Sequence, residues 1–173
     1  MRGRPAVDAA AGDEQQLAED DELLLRRALA LARRARAAGN HPFGALLADG
    51  SGAVLLEAGN EVVSARDPTA HAELLLARAA GRRYAPDVLS ACSLFSSTEP
   101  CAMCAGAAYW VGIGRVVYGL AEAQLLELTG AHGENPTMRL GCRPVFGAGQ
   151  RATTVLGPAL VAEARAVHEG FWG

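Results

Sequence analysis

The chain carries two short stretches whose residue types could do chemistry: "TAHAELLL" over residues 69–76 and "TEPCAMC" over 98–104. Cys101 and Cys104 lie one helical turn apart, so both sulfurs can reach one metal ion. His71 opens a second apolar helix and offers a third ligand. Structural zinc sites close with four ligands, whereas catalytic sites use three and keep one position for water. No fourth ligand stands at a convincing spacing, so the pattern favours an open site. Helix starts favour nearby negative charge, which suits thiolates. Glu73, two residues past His71, need not bind the metal. It can take a proton from water and deliver it to a leaving group.

Each element has a plainer use. A lone Cys-x-x-Cys serves equally well in redox or structural roles, a histidine at a helix start is more often a cap or core residue, and an early glutamate favours the helix dipole. A structural zinc module and a thiol-disulfide oxidoreductase are therefore the rival classes. Order, spacing, the preceding Pro100 and the helix context together favour the combination His-x-Glu with Pro-Cys-x-x-Cys, the zinc deaminase pattern. Cys92 and Cys142 lack such context and read as small buried hydrophobes.

These residues need a scaffold. The 173 residues suit one domain, half of them are apolar, and the formal charge is −3 with no long basic run. That balance argues against a surface built for nucleic acid. No run approaches the roughly 20 apolar residues of a membrane span, and no secretory signal is evident, so a cytoplasmic location is expected. Residues 1–20, poor in large apolar side chains, are expected to be a disordered tail, with one domain over 21–173.

Helical spacing over 21–40 predicts a helix capped by Gly39 and Asn40. "FGALLAD" and "AVLLEAGN" around "GSG" predict a hairpin. A helix from His71 closed by Gly81, a strand "SLFSST", a helix started by Pro100, a strand "RVVYG" and a helix "AEAQLLELTG" follow. Residues 131–149 read as loop, "ATTVLG" as a last short strand, and 158–173 as a final helix ending in two aromatics. Strands alternating with helices, after a hairpin, predict an α/β fold with a mixed sheet covered on both faces.

"DPTAHAE" with "TEPCAMCAGAAYW" resembles the cytidine-deaminase-like superfamily, in particular the branch of bacterial guanine deaminases and tRNA adenosine deaminases. The resemblance runs from about residue 21 to 130 and more loosely to the end. It implies a three-layer α/β/α sandwich with a five-stranded mixed sheet. It implies Zn²⁺ on His71, Cys101 and Cys104, with Glu73 as proton shuttle. It further implies that Asn60 bonds the ring edge, Phe43 packs on the base, the Ala72 N–H faces the substrate and Trp110 forms a pocket wall. From the residues alone, Asn60 reads first as a turn cap, and Phe43 and Trp110 as core.

Phe171 and Trp172 need a partner surface. The family implies a C-terminal segment, about 157–173 here, that closes a pocket, often the neighbour's in a swapped homodimer. In one respect the chain departs from the pattern. The second acidic residue of bacterial guanine deaminases aligns with His132, and Glu134 nearby is a candidate replacement. The resemblance implies hydrolytic deamination of a small amino-nucleobase, guanine or a close analogue first. Cytosine, an amino-triazine or pterin, and a nucleoside such as guanosine or cytidine are alternatives, and a tRNA adenosine is a weaker one.

Overall fold

The computed structural model describes residues 14–130 and 132–173. Helix α1 (Glu19–Ala37) leads into a hairpin of β1 (Gly44–Ala48) and β2 (Val54–Gly59). Then come α2 (Val62–Ala65), α3 (Ala72–Arg83), α4 (Pro86–Ser90), β3 (Ser93–Thr98), α5 (Ala102–Val111) and β4 (Arg115–Leu120). Helices α6 (Glu122–Thr129) and α7 (Cys142–Gly147), strand β5 (Thr154–Leu156) and α8 (Val161–His168) complete the described chain. The sheet runs β2-β1-β3-β4-β5, antiparallel across the first two pairings and parallel across the last two.

Both faces of this mixed sheet are covered, which is why β1 reads as a continuous apolar run. Ala45, Leu47, Leu94 and Val116 point to one face, where Leu76 of α3 and Ala105 and Ala108 of α5 meet them. Leu46, Phe95 and Val117 point to the other, under Leu25, Ala28 and Leu31 of α1. Leu29 packs with Leu120, Ala164 and Val167, joining α1 to α8. Truncating a side chain as buried as Leu29 costs about 2–5 kcal/mol. The layers are thus helices, sheet, helices, as the resemblance implied.

Register puts one end of the sheet in charge of function. Gly44 pairs with Gly59, Ala45 with Ser96, and Thr98 with Leu120, so the segments beyond them emerge side by side. Gly44 is required there. A Cβ on it would lie 2.7 Å from the Ala28 carbonyl oxygen and collide with the Ala32 nitrogen of α1.

Several local expectations change. Gly81 does not end α3, which continues to Arg83; a Cβ at Gly81 would lie 2.8 Å from Val111 Cγ1, so this glycine permits close packing of α3 on α5. Pro100 precedes the N-cap Cys101 instead of occupying the first turn. Residues 142–147 form α7 within the expected loop. Helix α8 stops at His168, so Phe171 and Trp172 lie beyond it. Of the tail expected over 1–20, the first 13 residues lie outside the described ones. Residues 14 and 15 bond to the start of α8: Gln15 N–H donates to the Pro158 carbonyl at 2.7 Å, and Val161 N–H donates to Glu14 Oε1 at 3.0 Å. Helix α1 begins at Glu19, before the expected domain boundary.

Candidate active site

His71 is the N-cap of α3 and Cys101 the N-cap of α5, and neither makes the side-chain capping bond usual at that position. Both are left free to face each other where the two helix starts converge. His71 Nδ1 lies 3.7 Å from Cys101 Sγ and 3.7 Å from Cys104 Sγ. The three ligand atoms all fall within 4.8 Å of one another. Ordinary zinc–sulfur and zinc–nitrogen bonds at a tetrahedral angle require a nitrogen–sulfur separation of about 3.6 Å. The donor set therefore fits Zn²⁺ without rearrangement, and it is the one such group among the described residues.

Electrostatics prepare the trio. Cys101 sits at about 4, lowered first by the hydrogen bond with Cys104, against the cost of burial, and further by His71. Cys104 is pushed well up because it keeps the shared proton and is buried. His71 is raised, chiefly by its bond to Cys101. Metal binding displaces the remaining protons, which couples affinity to pH.

Glu73 lies in the first turn of α3, 5 % exposed. Burial raises its pKa, opposed by the Ser96 hydroxyl, which donates to Glu73 Oε1 at 2.6 Å. Such a carboxyl is fixed in direction and holds its proton more readily than a solvated one, as a proton shuttle must. Sequence reasoning missed Ser96, although a run of Ser96, Ser97 and Thr98 at the end of a buried strand signals partners that must exist. Ser97 Oγ accepts the Gly44 N–H at 3.1 Å, and Thr98 Oγ1 meets His168 Nε2 at 3.5 Å.

Glu99, inside the motif itself, was also missed. Its Oε2 accepts the Glu122 N–H at 2.9 Å and its Oε1 the Cys142 N–H at 2.8 Å, the starts of α6 and α7. Glu122 is buried, and burial followed by Cys101, Glu99 and Glu73 pushes it up to about 8.

The expected pocket residues divide. Asn60 Oδ1 accepts the Val62 N–H at 3.0 Å, the turn-cap use, while its main-chain N–H donates to the Phe43 carbonyl at 2.9 Å. Ala72 opens α3, so its N–H is one of the donors a helix start leaves without an intrahelical partner. Phe43, His132, Phe171 and Trp172 meet in one aromatic cluster together with His41 and His168. Trp172 stacks on His168 at 6.2 Å and 17°, donates its Nε1–H to His168 Nδ1 at 3.2 Å, and has His41 at 5.5 Å and His132 at 5.4 Å. Phe43 lies 6.1 Å from Trp172 and Phe171 4.7 Å from it. Three of the chain's four histidines thus surround one indole. Glu134 Oε2 is 3.3 Å from His41 Nε2.

Trp110 does not join them. It is 77 % exposed, against Tyr109, toward the far end of α5. At about 1.5 Å per residue it lies roughly 13 Å along the axis from Cys101, so within one chain it forms no wall of this site. Among the described residues no helix is long and apolar enough to cross a membrane.

A sequence model of the cytidine and deoxycytidylate deaminase zinc-binding region matches residues 18–120. A probable cytosine deaminase of Schizosaccharomyces pombe is 41 % identical over 159 residues, 91 % of this chain and 95 % of its own length. Guanine deaminase of Bacillus subtilis is 39 % identical over 107 residues, 61 % of this chain and 68 % of its own. A solved guanine deaminase from Nitrosomonas europaea superposes with a TM-score of 0.70 at 30 % identity, covering 96 % of this chain and 92 % of that one.

Proposed function

The chain belongs to the zinc-binding cytidine and deoxycytidylate deaminase family, hydrolases of C–N bonds, and on that premise we propose that it deaminates a free amino-nucleobase, guanine or a close analogue first. The observation that carries the chemistry is the buried Glu73 carboxyl beside a His71, Cys101 and Cys104 trio already spaced for zinc.

Zinc held by the trio supplies the Lewis acidity that makes water nucleophilic near neutral pH. Glu73 takes the proton of the attacking water and hands it to the ring nitrogen of the amidine. It then carries the remaining proton of the added hydroxyl to the amino group, so that a carbonyl forms as the C–N bond breaks and ammonia leaves. Ser96 keeps the Glu73 carboxyl aimed throughout. The Ala72 N–H and the Asn60 amide hold the ring edge. Phe43 supplies a face for the base, and Phe171, Trp172 and His132 close over it. Glu134 is bound to His41 and serves this rim.

The aromatic cluster supports a small planar substrate, because it leaves the rim covered by the chain's own terminus. Likeness to the N. europaea guanine deaminase across nearly the whole chain supports guanine. Cytosine is the second reading, favoured by the S. pombe relative over 91 % of the chain. A homodimer is part of the proposal, with the exposed Met103 and Trp110 on α5 as the joining face. The C-terminal aromatics reach the rim of their own chain, so closure needs no swap.

An ammonia-release assay of the zinc-loaded protein over guanine, cytosine, adenine, isocytosine, pterins, triazines, guanosine and cytidine tests this. Guanine is expected to lead. Cytosine in the lead selects the second reading, and no release from any compound contradicts both.

A further inference from the structure

Glu122 is the first residue of α6 and stands at the sheet end that carries the site. Its main-chain N–H is held by Glu99, which also holds the start of α7 and precedes Cys101 by two positions. One buried carboxylate therefore fixes where the Glu122 side chain emerges relative to the metal-holding residues. The residue is 8 % exposed, and the titratable groups around its carboxyl are Cys101, Glu99, Glu73 and His71.

Among the described residues, nothing donates to the Glu122 carboxyl, yet neither of its oxygens is sealed from solvent. The other buried acids have partners: Glu73 takes the Ser96 hydroxyl, and Glu99 takes the Glu122 and Cys142 N–H groups. Several exposed acids are paired as well. Glu134 is 66 % exposed and bound to His41, Glu127 pairs with Arg165, and Glu57 pairs with Arg27. An acid at a helix start is favoured by the dipole, but that preference is smaller than the cost of burying a carboxyl with no partner. A buried, accessible and unpartnered acceptor beside a reacting centre takes its donor from what fills the site.

We propose that Glu122 is a specificity-determining residue whose carboxyl accepts a ring N–H of the base that Glu73 deaminates. The proposal rests on the nucleobase reading above. It selects amino-bases that present a ring N–H on the edge facing α6, and it disfavours those alkylated there. It also places the missing second acid of the site at the start of α6 instead of in the loop around His132.

The test compares the zinc-loaded protein with Glu122→Gln and Glu122→Ala. Calorimetric binding and kcat/KM are measured for guanine, 1-methylguanine, 9-methylguanine, cytosine and 1-methylcytosine, with zinc content and melting temperature as controls. Leaving a buried hydrogen-bonding group unpaired costs roughly 10- to 100-fold in affinity. The parent protein is expected to lose about that factor on one of the methylated bases. Both variants should bind the unmethylated base as weakly as the parent binds its methylated form, with no further loss on methylation. Zinc stays at one per chain. Variants that keep the parent's discrimination overturn the proposal, as do variants that lose zinc, which would make Glu122 structural. If no base is turned over but bases bind, the deamination reading fails while the binding comparison still decides Glu122. If none binds, both fall.

Discussion

The metal-holding corner and the aromatic rim are built on opposite plans. At the corner, two helix starts deliver His71, Cys101, Cys104 and Glu73 from two short stretches, and the ligand separations already match zinc. At the rim, His41 and Phe43 come from the entry to β1, His132 and Glu134 from the loop after α6, and Trp172 from the C-terminus. The corner is fixed by covalent spacing and one hydrogen bond from β3. The rim exists only when three distant segments pack. Chemistry is therefore expected to be brittle to single substitutions, and substrate fit to be graded.

The sharpest break of that contrast is Glu73→Gln, which should lower kcat about 10²–10⁴-fold while zinc content and melting temperature hold, read by ammonia release and metal analysis. Cys101→Ser or Cys104→Ser should come next, with zinc lost on dialysis and activity lost with it. Metal retained at one per chain would separate the trio from zinc binding. At the rim, Trp172→Ala should cut kcat/KM by about 10-fold, mostly through KM, because it removes a large packed aromatic surface and leaves Glu73 in place. A change confined to kcat would place Trp172 in the chemistry.

Acid should loosen the rim in a defined window. Burial, then Arg36, holds His168 down at about 4, against about 6.5 in an unfolded chain. The unfolded chain binds more protons between those values, so this contribution to stability is complete above about 6.5 and is lost as pH falls toward 4. Melting curves of the parent and His168→Gln should converge across that range. Parallel curves would show that His168 carries no such burden. The smallest effect is expected at Trp110→Ala: dimer dissociation in sedimentation experiments, with kcat/KM held within about threefold, as for surface sites away from a reacting centre.

How much was legible follows the same division. The metal ligands and Glu73 could be read because a helix start imposes a spacing on residues that must share one ion. The strands could be read because a sheet covered on both faces demands apolar runs. Glu99 and Glu122 could not be read, because an acid at a helix start looks the same whether it faces water or a neighbouring backbone N–H. His41 gave no signal either, since its partners Glu134 and Trp172 lie more than 90 positions away. Trp110 was misplaced because an aromatic on an apolar helix does not say which end of that helix meets the site. Gly81 was misread because a glycine that ends a helix and a glycine that admits a neighbouring helix leave the same letter in the chain.

The central claim is hydrolysis driven by Glu73. Running the reaction on guanine in water labelled with oxygen-18 and weighing the product tests it most directly. The account predicts one labelled oxygen per product and one ammonia released by the zinc-loaded parent, and neither above background from Glu73→Gln with zinc still bound. Unlabelled product, or labelled product formed at the parent's rate by Glu73→Gln, would contradict it.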